Sequence, residues 1–202
     1  MLFDPEACKP IHNRNISVTT YDFNAAAIAL EGRLADDWLV DSYDLFGKRR
    51  SPNIVHGMVV RMIVRIPELV VEAVEAEMNT VPYPECPQAI DSLMPLIGER
   101  ISAGFTAKVQ QLVGGAQGCA HLLALCRAMG SAAIQGAFAM LSQQPPEAHD
   151  ITKDSLKRVI DTCHLWRADG PMVQQLKSRY CHKDESDCAA VSKTRGRPSG
   201  RP

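Results

Sequence analysis

A glycine-rich segment, residues 114–121, carries a thiol and an imidazole immediately before a long apolar run. It reads Gly-Gly-Ala-Gln-Gly-Cys-Ala-His. The pattern predicts that Cys119 and His121 lie in the first turn of a helix, where unpaired backbone N–H groups and the positive end of the helix dipole meet. A thiol in that environment can act as a nucleophile. Free cysteine is commonly a small buried residue, and for Cys119 we favour this structural interpretation.

Residues 54–66 alternate as a half-buried strand does, and one face of this strand carries a single polar residue, His56. The other positions on that face are apolar: Met58, Val60, Met62, Val64 and Ile66. A buried imidazole needs a hydrogen-bond partner. If helices cover this face, His56 and His121 could approach one another and place a general acid or base in an apolar pocket. A structural histidine bonded to a backbone carbonyl is the alternative for either residue.

Further residues complete the expected pocket. Tyr83 and Cys86 lie in the proline-stiffened segment 81–87, and Gln135 falls on the helical stripe that begins at His121. We expect His56, Tyr83 and His121 to be catalytic. We expect the substrate to contact a second set of residues: Met58, Met62, Cys86, Cys119 and Gln135. In the alternative interpretation, Tyr83 only covers the sheet edge and the stripe only packs against a neighbouring helix.

A zinc site is the less favoured interpretation. His56, Cys86, Cys119 and His121 would form a Cys₂His₂ set, but the chain has no Cys-x₂-Cys or His-x₃-His spacing. We therefore expect no metal. The sequence also lacks the Gly-x-Gly-x-x-Gly turn of dinucleotide sites, the P-loop and the Gly-x-Ser-x-Gly elbow. We accordingly expect no organic cofactor and no serine hydrolysis.

Strands precede helices along the chain. The patterns predict strands over residues 15–21, 25–34, 38–46, 54–66 and 69–78, the last of which also has helical features. They predict helices over residues 89–96, 102–112, 118–142, 152–159 and 170–180. This order predicts an α+β protein, with an antiparallel sheet from the N-terminal half and one face of that sheet covered by C-terminal helices.

Composition narrows the class of protein. The 202 residues carry a net charge of −1, which argues against a nucleic-acid partner. We expect a single α+β domain over residues 1–182 and a disordered polar and basic tail over residues 183–202. No signal peptide and no membrane span are expected, and an odd cysteine count of 7 favours reduced thiols. The expected compartment is the cytoplasm.

Three motifs of the chain together match a known family pattern. They are Ile-Val-His-Gly-Met at residues 54–58, Tyr-Pro-Glu-Cys-Pro at residues 83–87, and the glycine-rich segment 114–121. With Asp-Thr-Cys-His at residues 161–164, they resemble the bacterial domain-of-unknown-function family 2889, over residues 14–180. Gly57 stands where that pattern has Asp, and Ala120 stands where it has Thr. The resemblance points again to the residues already singled out, His56, Tyr83, Cys86, Cys119 and His121. It implies no activity.

Together these features lead us to expect a cofactor-independent lyase or isomerase that acts on a small hydrophobic or aromatic metabolite by general acid–base chemistry. Its partner would be that small molecule, in the catabolism of such compounds. A cysteine- or metal-dependent enzyme centred on Cys119 is the first alternative. The second alternative is a non-catalytic ligand-binding or assembly protein. A homo-oligomer is compatible with the small residues of the long helix, such as Gly130 and Gly136.

Overall fold

The computed structural model describes residues 2–143 and 160–180. Contacts between Cα atoms divide the chain into two compact units, residues 1–143 and residues 144–202, and each is described by itself. The helix expected over residues 152–159 and the tail expected over residues 183–202 lie outside the described residues.

The first unit contains a four-stranded antiparallel sheet with strand order β1-β2-β5-β6. Its strands are β1 (His12–Asn24), β2 (Ala27–Trp38), β5 (Asn53–Arg65) and β6 (Val70–Thr80). Between β2 and β5, the two-residue strands β3 (Ser42–Tyr43) and β4 (Arg49–Arg50) form a small separate pair. Each long strand pairs with the next long strand in the chain, so the sheet is a meander.

Helices from the second half of this unit cover one face of the sheet. They are a 3₁₀ helix (Cys86–Leu96), helix α1 (Phe105–Val113) and helix α2 (Ala120–Leu141). Short 3₁₀ turns also occupy Pro5–Ala7 and Gly115–Gln117. The apolar faces of the strands and the buried stripes of the helices form one core cluster. The expected α+β class, with helices on one face of an antiparallel sheet, is confirmed.

Helix α2 lies close to the sheet because β2 has a glycine beneath it. A Cβ atom added to Gly32 would lie 2.7 Å from Met129 Sδ and 2.9 Å from Leu125 Cδ1, both side chains being fully buried. By length and composition α2 could cross a membrane, and among the described residues it is the one helix that meets both criteria. In this structure its buried stripe packs against β1, β2 and β5.

The opposite sheet face carries a row of alternating charges. Arg61 bonds to Glu31 on one neighbouring strand, at 2.9 Å, and to Glu75 and Glu77 on the other, at 3.2 and 2.6 Å. Arg33 pairs with the same Glu31 at 2.7 Å. These side chains are partly exposed, so each pair contributes little to stability.

Of the strand expected over residues 38–46, Trp38 belongs to β2, and Ser42 and Tyr43 form the short strand β3. Strand β2 continues to Trp38, and the chain then turns at Asp44, whose Oδ1 accepts hydrogen bonds from the backbone N–H groups of Phe46 and Lys48, each at 2.9 Å. A carboxylate that bonds to its own following backbone favours a turn over a strand.

In the second unit, the described residues form a turn and helix α3 (Pro171–Tyr180). The helix begins at a proline, as the sequence predicts for its first turn. The turn is held by hydrogen bonds from Asp161 N to Trp166 O at 2.8 Å and from Ala168 N to Asp161 Oδ1 at 2.9 Å. His164 lies on this turn and contacts the Arg167 guanidinium.

Candidate functional site

The register of the sheet places three polar residues side by side on the helix-covered face. Arg14 on β1 is directly opposite Asp36 on β2, and Asp36 is directly opposite His56 on β5. Residues opposite one another in an antiparallel pair point to the same face. His121, in the first turn of α2, reaches the same point from above the sheet. The site is therefore assembled from three strands and one helix.

Asp36 is the centre of this cluster and is only 2% exposed. Arg14 holds it with two hydrogen bonds, from Nε to Oδ1 at 2.6 Å and from Nη2 to Oδ2 at 2.7 Å. These hydrogen bonds lower the pKa of Asp36 to about 2, against the opposing effect of burial. The carboxylate is therefore ionised at every physiological pH, and a buried ionised carboxylate of this kind needs such a partner.

Three imidazoles surround the carboxylate. His121 Nε2 lies 3.1 Å and His56 Nδ1 lies 3.3 Å from the same oxygen, Oδ2 of Asp36. His12 Nε2 lies 3.4 Å from the other oxygen, Oδ1. The rings of His56 and His121 stack, with centroids 3.7 Å apart and planes inclined by 26°. The structure thus brings together the two histidines that the sequence suggests as neighbours.

Both stacked histidines are set to be uncharged near neutral pH. Burial is the main cause that lowers the pKa of His56. Burial also lowers the pKa of His121, and the neighbouring His56 lowers it further. The negative charge of Asp36 opposes both shifts. An uncharged imidazole presents one nitrogen lone pair, which can accept a proton or coordinate an ion. His56 Nδ1 is buried. Although it lies close to Asp36, it forms no hydrogen bond of good geometry with any described residue.

Cys119 lies beside the histidine pair. It is the residue that precedes α2, its Sγ lies 3.6 Å from His121 Nδ1, and its thiol is partly buried. The glycine-rich segment sets this position, because the Cys119 N–H donates to the carbonyl of Val113 at 3.1 Å. His121 thus has a thiol at one ring nitrogen and the Asp36 carboxylate at the other.

The same atoms could hold a metal ion. Asp36, His56 and His121 each offer a ligand atom, and these three atoms lie within 4.8 Å of one another. Two imidazoles and one carboxylate form a donor set found in catalytic zinc and non-haem iron sites. This set differs from the Cys₂His₂ combination considered from the sequence, because it takes a carboxylate instead of the thiols.

Tyr83 and Cys86 lie at the same end of the sheet but outside this cluster. Tyr83 follows β6 by three residues, and β6 ends at Thr80, which is opposite Gly57. Tyr83 is 36% exposed, and within the described residues its hydroxyl makes no hydrogen bond. Cys86 is half-buried at the start of the 3₁₀ helix. Within the described residues, neither Tyr83 nor Cys86 contacts the histidine pair.

The other expected substrate contacts fall in different surroundings. Met58 and Met62 are 3% and 2% exposed and belong to the core cluster beneath the helices. Gln135 is exposed and lies about 21 Å along α2 from His121, at 1.5 Å per residue. Cys119 is the member of this expected set that contacts the site.

Sequence reasoning missed Asp36, Arg14 and His12. A signal for Asp36 exists, because it continues the alternation that places Ile28, Leu30 and Leu34 on the inner face of β2. The strand expected over residues 25–34 stops two residues before Asp36, whereas β2 continues to Trp38. The carboxylate of the site therefore comes from β2 and not from position 57, where this chain has glycine.

The fold and the site define the class: an α+β protein whose sheet carries a histidine–carboxylate centre under its longest helix. The model of the family described as protein of unknown function (DUF2889) matches residues 12–135, and the chain belongs to this family. The matched range includes every residue of the centre. No curated protein and no solved structure matches the chain.

The partly buried histidine pair is expected to make folding less favourable in weakly acidic solution. Both imidazoles have a reference pKa of 6.5, which the unfolded chain approaches, whereas the folded protein binds these protons only at lower pH. The unfolded state then binds more protons, so stability falls as pH falls through about 6.5. For chelator-treated protein, the urea midpoint should be lower at about pH 5.5 than at about pH 7.5.

The double variant His56→Gln, His121→Gln is the control for this pH effect. It should lose most of the difference between the two midpoints, because the groups that titrate differently in the folded and unfolded states are gone. An equal difference in both proteins would show that other groups cause the pH dependence.

Proposed function

We propose that this chain is an enzyme that moves protons on a small hydrophobic or aromatic metabolite at the Asp36 centre, as a lyase or isomerase. One observation carries the proposal: His56 and His121 stack at 3.7 Å on one oxygen of a buried carboxylate that Arg14 clamps. Each of the two side chains still exposes 20% of its surface. The pair is thus rigidly held and open to a ligand.

A purely structural role explains this arrangement less well. A single histidine bonded to a carboxylate and a carbonyl suffices to satisfy a buried site. Here two basic rings approach one carboxylate oxygen, and the buried His56 Nδ1 lies 3.3 Å from it without good hydrogen-bond geometry to any described residue. Groups held in costly environments beside charged partners are typical of catalytic centres.

The surroundings suit an apolar substrate. Four exposed apolar side chains lie at the end of the sheet that carries the centre: Ile11 at 65%, Leu39 at 40%, Ile54 at 46% and Tyr83 at 36%. The backbone of Leu39 bonds to Ile11, and Ile54 lies two residues before His56. Small-molecule sites usually combine apolar side chains with a few polar groups.

The chemistry that the geometry supports is proton removal and proton return. A base takes a proton from a carbon or hydroxyl group, and an acid returns it at another atom or to a leaving group. Isomerases and lyases complete such reactions without net oxidation. Asp36 orients the imidazoles and balances the positive charge that develops beside it, in the role that a buried carboxylate has next to a catalytic histidine.

This function is testable with a panel of small aryl-substituted carbonyl and hydroxycarbonyl compounds. Incubation in D₂O followed by NMR detects either deuterium incorporation or bond cleavage. Against any compound that reacts, His121→Gln and His56→Gln should each lower kcat/KM by about 10²–10⁴-fold. Arg33→Gln, on the opposite face of the sheet, should retain full activity. Unchanged rates in both centre variants would remove the centre from the reaction.

A cysteine-dependent reaction is the second candidate. It is favoured by the chain of contacts from Cys119 Sγ through His121 to Asp36, which has the order of nucleophile, base and orienting group. Cys119→Ser separates the two proposals. The proton-transfer proposal requires that this variant keep most of the activity, whereas a nucleophilic thiol requires its loss.

A further inference from the structure

Two of the three distances between the central ligand atoms match the spacing of ligands around one ion, and all three atoms lie within 4.8 Å of one another. Asp36 Oδ2 lies 3.1 Å from His121 Nε2 and 3.3 Å from His56 Nδ1. With metal–ligand bonds of about 2.1 Å, neighbouring ligand atoms lie about 3.0 Å apart in an octahedral site and about 3.4 Å apart in a tetrahedral site. Both distances fall within this range.

Hydrogen bonding alone leaves part of this geometry unexplained. A single N–H···O bond would account for the approach of His121 to Asp36. His56 Nδ1, however, is buried, points at no acceptor with hydrogen-bond geometry, and still lies near the same oxygen. A cation between the three atoms would satisfy this nitrogen, because a neutral imidazole coordinates through its lone pair.

The groups behind these atoms also match a coordination site. Ligating carboxylates and histidines are usually held by a second set of hydrogen bonds. Arg14 holds both oxygens of Asp36, at 2.6 and 2.7 Å. Cys119 Sγ lies 3.6 Å from His121 Nδ1, so His121 can donate the Nδ1 proton to sulfur while its Nε2 faces the carboxylate.

We propose that Asp36 Oδ2, His56 Nδ1 and His121 Nε2 bind one divalent transition-metal ion of the zinc or iron class, with its remaining positions open to water or substrate. The ligands come from β2, β5 and α2. His12 stays outside the set, because its Nε2 approaches the other carboxylate oxygen at 3.4 Å. The proposal departs from the sequence expectation of a metal-free site.

Charge and donor type decide which ions fit. The Arg14 guanidinium offsets the single carboxylate charge, so the centre offers little net negative charge to a cation. Mg²⁺ and Ca²⁺ depend on several oxygen ligands and should not bind, whereas imidazole suits zinc and iron.

The ion would change the identity of the proton acceptor. The chemical role of the ion rests on the proposed function, but the binding of the ion does not. A bound divalent ion lowers the pKa of a coordinated water towards 7, so hydroxide on the ion would take the proton that the metal-free centre takes on imidazole. The two imidazoles would then act as ligands.

The test uses the full chain, stripped with a chelator and titrated with Zn²⁺ against a chromophoric competitor. The expected result is one equivalent bound with a Kd below about 1 μM, absent from His56→Gln and His121→Gln. Cys119→Ser should weaken binding by about 10-fold, as loss of an outer partner does, and Arg33→Gln should not change it. Mg²⁺ should not compete.

A spectroscopic measurement keeps the proposal falsifiable even if a variant fails to fold. Co²⁺-loaded wild-type protein should show d–d absorption without an intense thiolate-to-metal band, because the ligands are nitrogen and oxygen. An intense thiolate band at the first equivalent, or no bound equivalent at all, would overturn the site. Zn²⁺ bound equally by wild type and both well-folded histidine variants would overturn it too.

Failure of this inference and failure of the proposed function give different results. Chelated protein that binds no ion and still turns over a panel compound would refute the metal site and leave the enzyme proposal standing. Protein that binds one histidine-dependent ion but converts no compound would support the metal site and count against the proposed reaction.

Discussion

Replacing Gly118 with alanine is expected to destabilise the first unit by about 3 kcal/mol. The Cβ atom of an alanine at this position would overlap the backbone carbonyl of Val113. That carbonyl already accepts the Cys119 N–H at 3.1 Å, so it cannot move without disturbing the start of α2. The expected loss combines overpacking, about 1–3 kcal/mol, with a weakened hydrogen bond, about 1 kcal/mol.

Gly115→Ala is the matched control for this prediction. Gly115 has φ of 75°, which alanine tolerates poorly, but nothing lies within 4 Å of an added Cβ. It should therefore lose only about 1–2 kcal/mol. Urea denaturation of both variants measures the difference. If the two substitutions cost the same, contact with Val113 is not the reason that position 118 is glycine. Because His121 follows three residues later, Gly118→Ala should also weaken any activity of the centre.

Replacing Arg14 with methionine is expected to cost about 2–3 kcal/mol at neutral pH. Asp36 is 2% exposed, and this substitution removes both of its short hydrogen bonds. An ionised carboxylate would remain buried, with only the histidines nearby. The expected cost is kept below that of a fully buried pair because Arg14 itself is 40% exposed. Arg49→Met is the control, since the Arg49–Asp41 pair is solvent-exposed and should contribute less than about 1 kcal/mol.

The cost of Arg14→Met should also depend on pH in a defined direction. Arg14 lowers the pKa of Asp36 from 3.8 to about 2, so its contribution is present above pH 3.8 and is lost as pH falls towards 2. The stability difference between wild type and variant should shrink below about pH 4, as Asp36 becomes protonated. A difference that stays constant to the lowest pH at which wild type is folded would mean that Asp36 is not the group concerned.

Much of the fold follows from short-range pattern. The alternation over residues 54–66 predicts β5, and the apolar run after Gly118 predicts α2, which ends near the expected residue. The strand expected over residues 38–46 is reduced to Trp38 and to β3, because Asp44 bonds to the following backbone and turns the chain. The helix expected over residues 89–96 is part of a 3₁₀ helix, Cys86–Leu96, which contains Pro87 and Pro95 and therefore lacks two of the N–H groups that an α-helix needs.

The site could be predicted only in part. His56 is recognisable because it is a lone polar residue on an apolar strand face, and His121 because glycines place it at a helix start. Asp36 escaped notice because β2 runs past the point where its apolar alternation ends. Arg14 and His12 escaped notice because β1 is largely exposed, so its sequence shows no face to align with β2.

The amino-acid sequence by itself determined the α+β class, the helix-covered sheet face and two of the histidines, because these depend on side-chain periodicity and local turn chemistry. Only the tertiary structure decided that Arg14, Asp36 and His56 form one row across three strands and that His121 stacks above it. Strand register is a long-range property, and a shift of one residue would turn Asp36 to the opposite face. The centre therefore exists only once the sheet is paired and α2 is packed on it.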